Sequence, residues 1–348
     1  PATMRQRCSK TDRLQRLAAN GGTPKCEDAV VKALRWMKKT QAKDGSWGPK
    51  KTGYTGLALL AYLGHCETPL SPEFGDTVTA AIAYLVNVNM KNKGRMADHL
   101  GDRHWPYEHA IATYALCESY TFCKQLGIML PNLEQATQSS VQWIINNQNK
   151  SGGWDYNYVE GGGRGGDLSI AAWHMQALKA GYHTELDFRN YRKCITNGVR
   201  YVEQRQNRNG GFGYTGKTPV GSAKGHFTLT GAGALCLQQH RGTANSSARK
   251  GIAYLDKNAR FHWMKGPCNL YEHYYNGQAI MNGGGRAWKK YNALFRDQVL
   301  NNQRPDGSWA TPRDPGPAHA GHTIYNTALC TLMLEVYYRF LPGTGQIR

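Results

Sequence analysis

The sequence predicts an all-α fold assembled from stacked helix pairs. Three observations predict it. Apolar residues recur at helical spacing through most of the chain, strand-like alternation bounded by hairpin turns is nearly absent, and one short phrase returns at a regular interval.

Residues 1–26 are polar and basic, carry GGTPKC, and read as an irregular arm. The first helix is expected in AVVKALRWMKK (29–39), whose apolar residues fall on one face and whose stop signal is Gly45. GLALLAYL (56–63) reads as a second, more apolar helix. The alternation continues over 76–89, 107–121, 133–147, 167–180, 188–206, 226–240, 247–257, 270–282, 287–303 and 320–340, giving six pairs. The stretch TALCTLMLEVYYRF (327–340) is interrupted by Glu335 and reads as a buried helix, too short and polar to span a membrane. One domain over 27–342 is expected, followed by a short tail, 343–348.

The recurring phrase is Q-x-x-x-G-x-[WF]. It runs from Gln41 to Trp47, Gln148 to Trp154, Gln206 to Phe212 and Gln303 to Trp309, with a degraded copy near Asn89 and none after YLDKNARF. With the missing copies inserted, the period is about 50 residues, two helices and their loops. Gly at a helix exit supplies the turn, the aromatic folds back over the helix end, and Gln reaches end carbonyls of its own or a neighbouring helix. This disposes of a false lead. GFGYTGKT (211–218) matches a phosphate-binding loop, but it follows a helix, not a strand, and Phe212 is the aromatic of the repeat.

Composition narrows the function classes. The 348 residues carry a formal charge of +19, from 43 Lys and Arg against 24 Asp and Glu, which favours anionic ligands or surfaces. The basic residues are scattered and show no nucleic-acid-binding signature, so nucleic acid is not the expected partner. Nine cysteines without C-x-x-C specify neither a metal knuckle nor a redox pair. Cys8 and Cys26 flank the arm as a candidate bridge, while Cys117, Cys236 and Cys330 read as buried thiols. A start at Pro1 fits initiator removal or a mature secreted form, and a secreted or periplasmic location is favoured over a cytoplasmic one.

The four phrases resemble the QW motifs of squalene–hopene cyclases and of the prenyltransferase/squalene oxidase repeat proteins. YEHAIATYALCESY (107–120), GGDLSIAAWHMQALKAG (165–181) and YYNGQA (274–279) are similar to short bacterial members of that superfamily. The resemblance implies an (α/α)6 toroid, with six inner helices ringed by six outer ones. It does not carry a function, because D-x-D-D, the acid motif of the class II cyclases, and D-D-x-x-D are both missing. In the protein prenyltransferase β-subunits zinc is held by D-x-C and a later His. Those positions fall here on Tyr271-Glu272-His273 and on His322, so zinc held by His273, His322 and Glu272 is the implied metal site.

In such a toroid the starts of all inner helices share one end, a mouth. They read Tyr54-Thr55, Glu108-His109, Asp167-Leu168-Ser169, His226-Phe227-Thr228, Glu272-His273 and His322-Thr323. Asp167, His109 and His226 are the candidate acid/base residues, because helix dipoles there keep imidazole neutral. Asp167 is equally an N-cap candidate. Arg164, in the glycine-rich GGGRGGD, is the candidate anion clamp, and Tyr275 and Tyr325 are candidate ligand-facing aromatics. Without an intact catalytic motif, a binding or structural subunit with a protein partner or an anionic or lipid-like ligand is the first expectation. An enzyme acting on an anionic or polyisoprenoid substrate at the mouth is the second.

Overall fold

The computed structural model describes residues 7–159, 164–218, 226–316 and 321–339. Among them are thirteen α-helices and no strand beyond two isolated bridges within the repeat phrases. A short helix in the arm, α1 (Lys10–Ala19), precedes α2 (Pro24–Thr40), α3 (Lys51–Gly64), α4 (Gly75–Lys91), α5 (Trp105–Leu126), α6 (Leu133–Asn146) and α7 (Leu168–Thr184). Then follow α8 (Tyr191–Glu203), α9 (Thr230–Arg241), α10 (Ser246–Asn258), α11 (Leu270–Gly283), α12 (Gly285–Asn301) and α13 (Thr323–Leu334), which ends in a 3₁₀ turn, Glu335–Tyr337.

The helices form two layers, and composition explains which belongs where. α3 is buried at every residue from Thr52 to Gly64, and α5, α7, α9, α11 and α13 are nearly as enclosed. Each packs on the next of this set, and α13 packs back on α3, so the inner layer closes on itself. The even-numbered helices are amphipathic and lie outside. α2 buries Cys26, Ala29, Val30, Ala33, Leu34 and Met37 on one stripe and turns Lys38 and Lys39 to solvent.

The repeat phrase is a bracket between outer helices. Gln41 Nε2 donates to Gly45 O in its own loop and to Thr77 O of α4, both at 3.0 Å. Gln148 does the same to Gly152 O and Cys194 O, Gln206 to Gly210 O and Ser247 O, and Gln303 to Gly307 O and Ala29 O. The last of these ties the end of α12 to α2. Trp47, Trp154 and Trp309 are buried and donate from Nε1 to Met37 O, Ile144 O and Val299 O. The glycine is required: Gly307 has φ +95°, and a Cβ there would lie 2.3 Å from Lys32 O.

Two expectations about the arm are corrected. It is not wholly irregular: Ser9 caps α1 by accepting from Asp12 N, and Leu17 anchors it. Cys8 pairs with Cys66, just beyond α3, while Cys26 is a buried free thiol. A disulfide is in keeping with an oxidising compartment. The tail at 343–348 lies outside the described residues. Among the described residues no helix is long and apolar enough to cross a membrane.

The false phosphate loop follows α8, and Asn207 Nδ2 donates to Lys217 O within it. Lys217→Ala is expected to leave stability within about 0.5 kcal/mol in urea titration. Tight ATP binding that depends on Lys217 would refute this assignment.

Candidate functional site

The starts of the inner helices meet at one end. Tyr107 of α5 hydrogen-bonds Ser169 of α7, and Tyr271 Oη of α11 donates to Ser169 O at 2.9 Å. Tyr54 of α3 lies 6.3 Å, ring to ring, from Tyr325 of α13 and 5.7 Å from the exposed His322. Below this rim the middle is filled. Trp173 stacks on Tyr274 at 5.1 Å, and Tyr275 closes against both. Tyr275 is therefore an interior residue, whereas Tyr325 is nearer the rim beside Tyr54.

Three polar groups occupy the mouth. The first belongs to the α3–α5 seam. Glu108, in the first turn of α5, packs beside Gly53, where a Cβ would stand 3.4 Å from Glu108 Cγ. Asp98 N donates to Glu108 Oε2 at 3.4 Å. Burial, reinforced by the Asp98 charge, pushes the Glu108 carboxyl up to about 7. Asp98 Oδ1 accepts from Thr52 N and Thr52 Oγ1, but Asp98 Oδ2 is buried without a hydrogen-bond partner, as is Tyr54 Oη. Asp102, paired with Lys50 and His104, borders the seam.

The second group surrounds Asp167. Its Oδ1 accepts from Ser169 N at 2.9 Å and Ile170 N at 3.4 Å, so it caps α7, and Arg164 donates to its Oδ2 at 2.9 Å. Burial raises its pKa. Arg164 also approaches Asp155 Oδ2 at 3.5 Å and lies 4.7 Å above the Tyr156 ring. The third group is a dyad. His226 Nε2 bonds Glu272 Oε1 at 2.8 Å, which raises the imidazole pKa.

The structure thus brings Asp167, Arg164, His226, Glu272, His322 and Tyr325 to one end, but not His109 or His273. His109 turns outward, accepting from Met96 N at Nδ1 and donating from Nε2 to Ser140 O, and burial pushes its pKa down to about 3. It follows Glu108 by one residue, and a helix turns about 100° per residue, so only one of the two can face the mouth. His273 likewise turns to the outer layer, bonded to Tyr291 Oη at 2.8 Å and packed on Phe261. The proposed zinc ligands therefore do not converge: Glu272 serves His226, His273 faces α12, and His322 lies beside Tyr54. No cluster of three or more His, Cys, Asp or Glu suited to a metal occurs among the described residues.

Asp98 and Glu108 were the missed pair. ADHLGDRHWPYEH (97–109) places three carboxyls just before and at an inner-helix start, a signal present in the sequence beside His109.

The helix order and closed inner layer have counterparts among solved structures. A variant of MstE, a type II terpene cyclase from Scytonema, in complex with its substrate geranylgeranyl dihydroxybenzoate, matches with a TM-score of 0.59 and 12% identity, over 90% of this chain and 97% of the other. The fold is the all-α terpene-cyclase fold. A protein from Actinoplanes matches at 0.56 and 14% identity, over 90% and 99% of the two chains. A glycosidase in complex with glucose matches at 0.54 and 8% identity, over 91% and 98%. No family model and no curated protein matches the sequence.

Proposed function

We propose that the chain is an (α/α)6 toroid of six inner and six outer helices and an enzyme that transfers a proton to an oxygen-bearing, anionic substrate at its mouth. The observation that carries this reading is Glu108: a carboxyl half-protonated near neutral pH, set beside Asp98 at the start of an inner helix. Two neighbouring carboxyls in unlike environments divide acid and base roles between them. Glu108 is the proton donor. The same seam holds two buried polar atoms without hydrogen-bond partners, Asp98 Oδ2 and Tyr54 Oη. A carboxyl of pKa about 7 suits protonation of an oxygen and is too weak an acid for an unactivated alkene. The aromatic filling around Trp173 leaves the work to the rim. The cationic surface supports an anionic substrate.

The neighbours define the trial substrates. A polyprenyl benzoate and acidic oligosaccharides, offered in parallel, test the two chemistries the fold hosts elsewhere. Glu108→Gln is expected to lower kcat by about two orders of magnitude. In the unaltered protein the rate should fall as pH rises through about 7, where Glu108 loses its proton. Full turnover by Glu108→Gln, or a rate that stays flat through that range, would sink the assignment.

A second reading, a binding or structural subunit, draws on Asp167 and Asp102, whose carboxylates are engaged by Arg164, the α7 N-terminus, Lys50 and His104. Equal binding of an acidic oligosaccharide by the unaltered protein and Glu108→Gln, without turnover by either, is the result that reading requires.

A further inference from the structure

The opposite end of the inner circle is closed by a segment outside the repeat. Arg7 is wholly buried there, and its guanidinium reaches Glu118 Oε2 of α5 at 3.2 Å and Leu63 O, at the end of α3, at 3.4 Å. Arg13 of α1 holds this backbone, donating to Arg7 O at 2.6 Å and to Glu27 at 3.0 Å. From the other side Arg339 donates to Tyr114 Oη at 3.0 Å. Between these arginines lies a group of buried atoms without hydrogen-bond partners: Glu118 Oε1, both carboxyl oxygens of Glu335, Tyr338 Oη and Arg339 Nε. Such a concentration of buried polar atoms without partners is a poor hydrophobic floor and a good lining for water.

The segment closing this floor is held weakly by packing. α1 has ten residues and buries only Arg13 and Leu17, and an isolated helix of that length is unstable in water. Its beginning is fixed by the Arg7 and Arg13 contacts and, covalently, by the bond from the exposed Cys8 to Cys66. Its end is pinned independently, by Trp288 Nε1 donating to Asn20 O and by Asn292 and Arg296 donating to Gly21 O. The segment is thus tethered at 20–22 and latched at Cys8.

We propose that residues 7–19 are a disulfide-latched stopper over the buried polar cluster at this end of the circle, and that reduction of Cys8–Cys66 exposes Glu118, Glu335 and Arg339 to small polar solutes. The reductant is a dithiol. Two-electron exchange converts Cys8 and Cys66 to thiols while the dithiol closes to its own disulfide, with its two protons passing to the released sulfurs. Proton chemistry at the mouth is not needed for this device.

The experiment uses the full chain with and without dithiothreitol. Mass analysis confirms the change of two thiols, and hydrogen–deuterium exchange is read by segment. Reduction is expected to speed exchange at 10–19 at least tenfold and to leave α5 and α7 protected. Glu118 and Glu335 should become modifiable by carbodiimide and glycinamide. Cys66→Ser is expected to reproduce both effects without reductant. Unchanged protection at 10–19 after confirmed reduction overturns the latch, and release without carboxyl labelling overturns the exposure. Loss of protection throughout the chain overturns the stopper, since the segment would then be an integral part of the fold.

Discussion

Raising the pH from 6.5 to 8 is expected to cost the fold on the order of 2 kcal/mol of unfolding free energy, a sizeable part of a typical domain's stability. His65 is the first cause. Burial opposes its charge, but Glu27 and Glu67, at 2.9 and 2.8 Å, outweigh that and lift it to about 9. A raised histidine stabilises fully below its unfolded value of 6.5 and loses that contribution as pH climbs towards 9. Glu335 acts in the same sense, since burial raises its carboxyl from 4.5 to about 8. Its preference for the proton is lost as pH rises through 8. Glu108 adds a smaller loss around 7. Lys179, pushed down to about 8 by burial, works in the opposite sense, as do His109, His174 and His240, which burial holds near 3, and together they recover over a third of the loss. Urea titrations at the two pH values, at fixed ionic strength with the disulfide intact, measure the difference. Glu335→Gln should remove most of it, and a stability that is level or rises between the two values would contradict the account.

Trp309→Ala is expected to cost about 3–5 kcal/mol, the range for deleting a buried aromatic. Trp309 is fully buried, and its indole N–H donates to Val299 O at 2.8 Å. Its own backbone N–H is received by Thr327 Oγ1 of α13. The residue therefore joins α12 to α13 at the seam where Gln303 also grips α2. Removing the side chain leaves a cavity and deprives Val299 O of the indole donor where the circuit closes, while the backbone bond to Thr327 is kept. Chemical denaturation measures the loss. A cost below about 1 kcal/mol would show that the seam collapses around the void without penalty.

The helices were legible because each bears a pattern that only one environment satisfies. α3 and α13 are apolar all round and had to be interior, and the Gln phrases announced where outer helices end. The bracket itself was foreseen from the hydrogen-bonding capacity of glutamine. The disulfide was not, because Cys66 lies 58 residues beyond Cys8 and pairs with it only once α3 has carried the chain back. The mouth was foreseen as a place better than as a set of side chains. Helix starts fix where residues such as Glu108 and His109 stand, but the rotation of the helix decides which faces inward, and that depends on packing by Trp105 and Trp143 around His109.

The Gln bracket has a consequence for where the molecule is free to vary. A closed circuit needs every angular step fixed, and four connections carry the same two-pronged clamp, so their sequence is committed to geometry. Of the remaining two, one is altered: Asn89 donates to Ala136 O of the next outer helix and accepts from Ser139 Oγ on the same helix. The other lacks the glutamine, and Gln298, from α12, instead grips Phe261 O. These two connections lead into α5 and α11, the second and fifth inner helices, which stand across the circle from one another. They are also the ones that deliver Asp98 with Glu108 and, opposite, Glu272. Chemical novelty has room at these two corners because their angles are held by contacts outside the glutamine phrase.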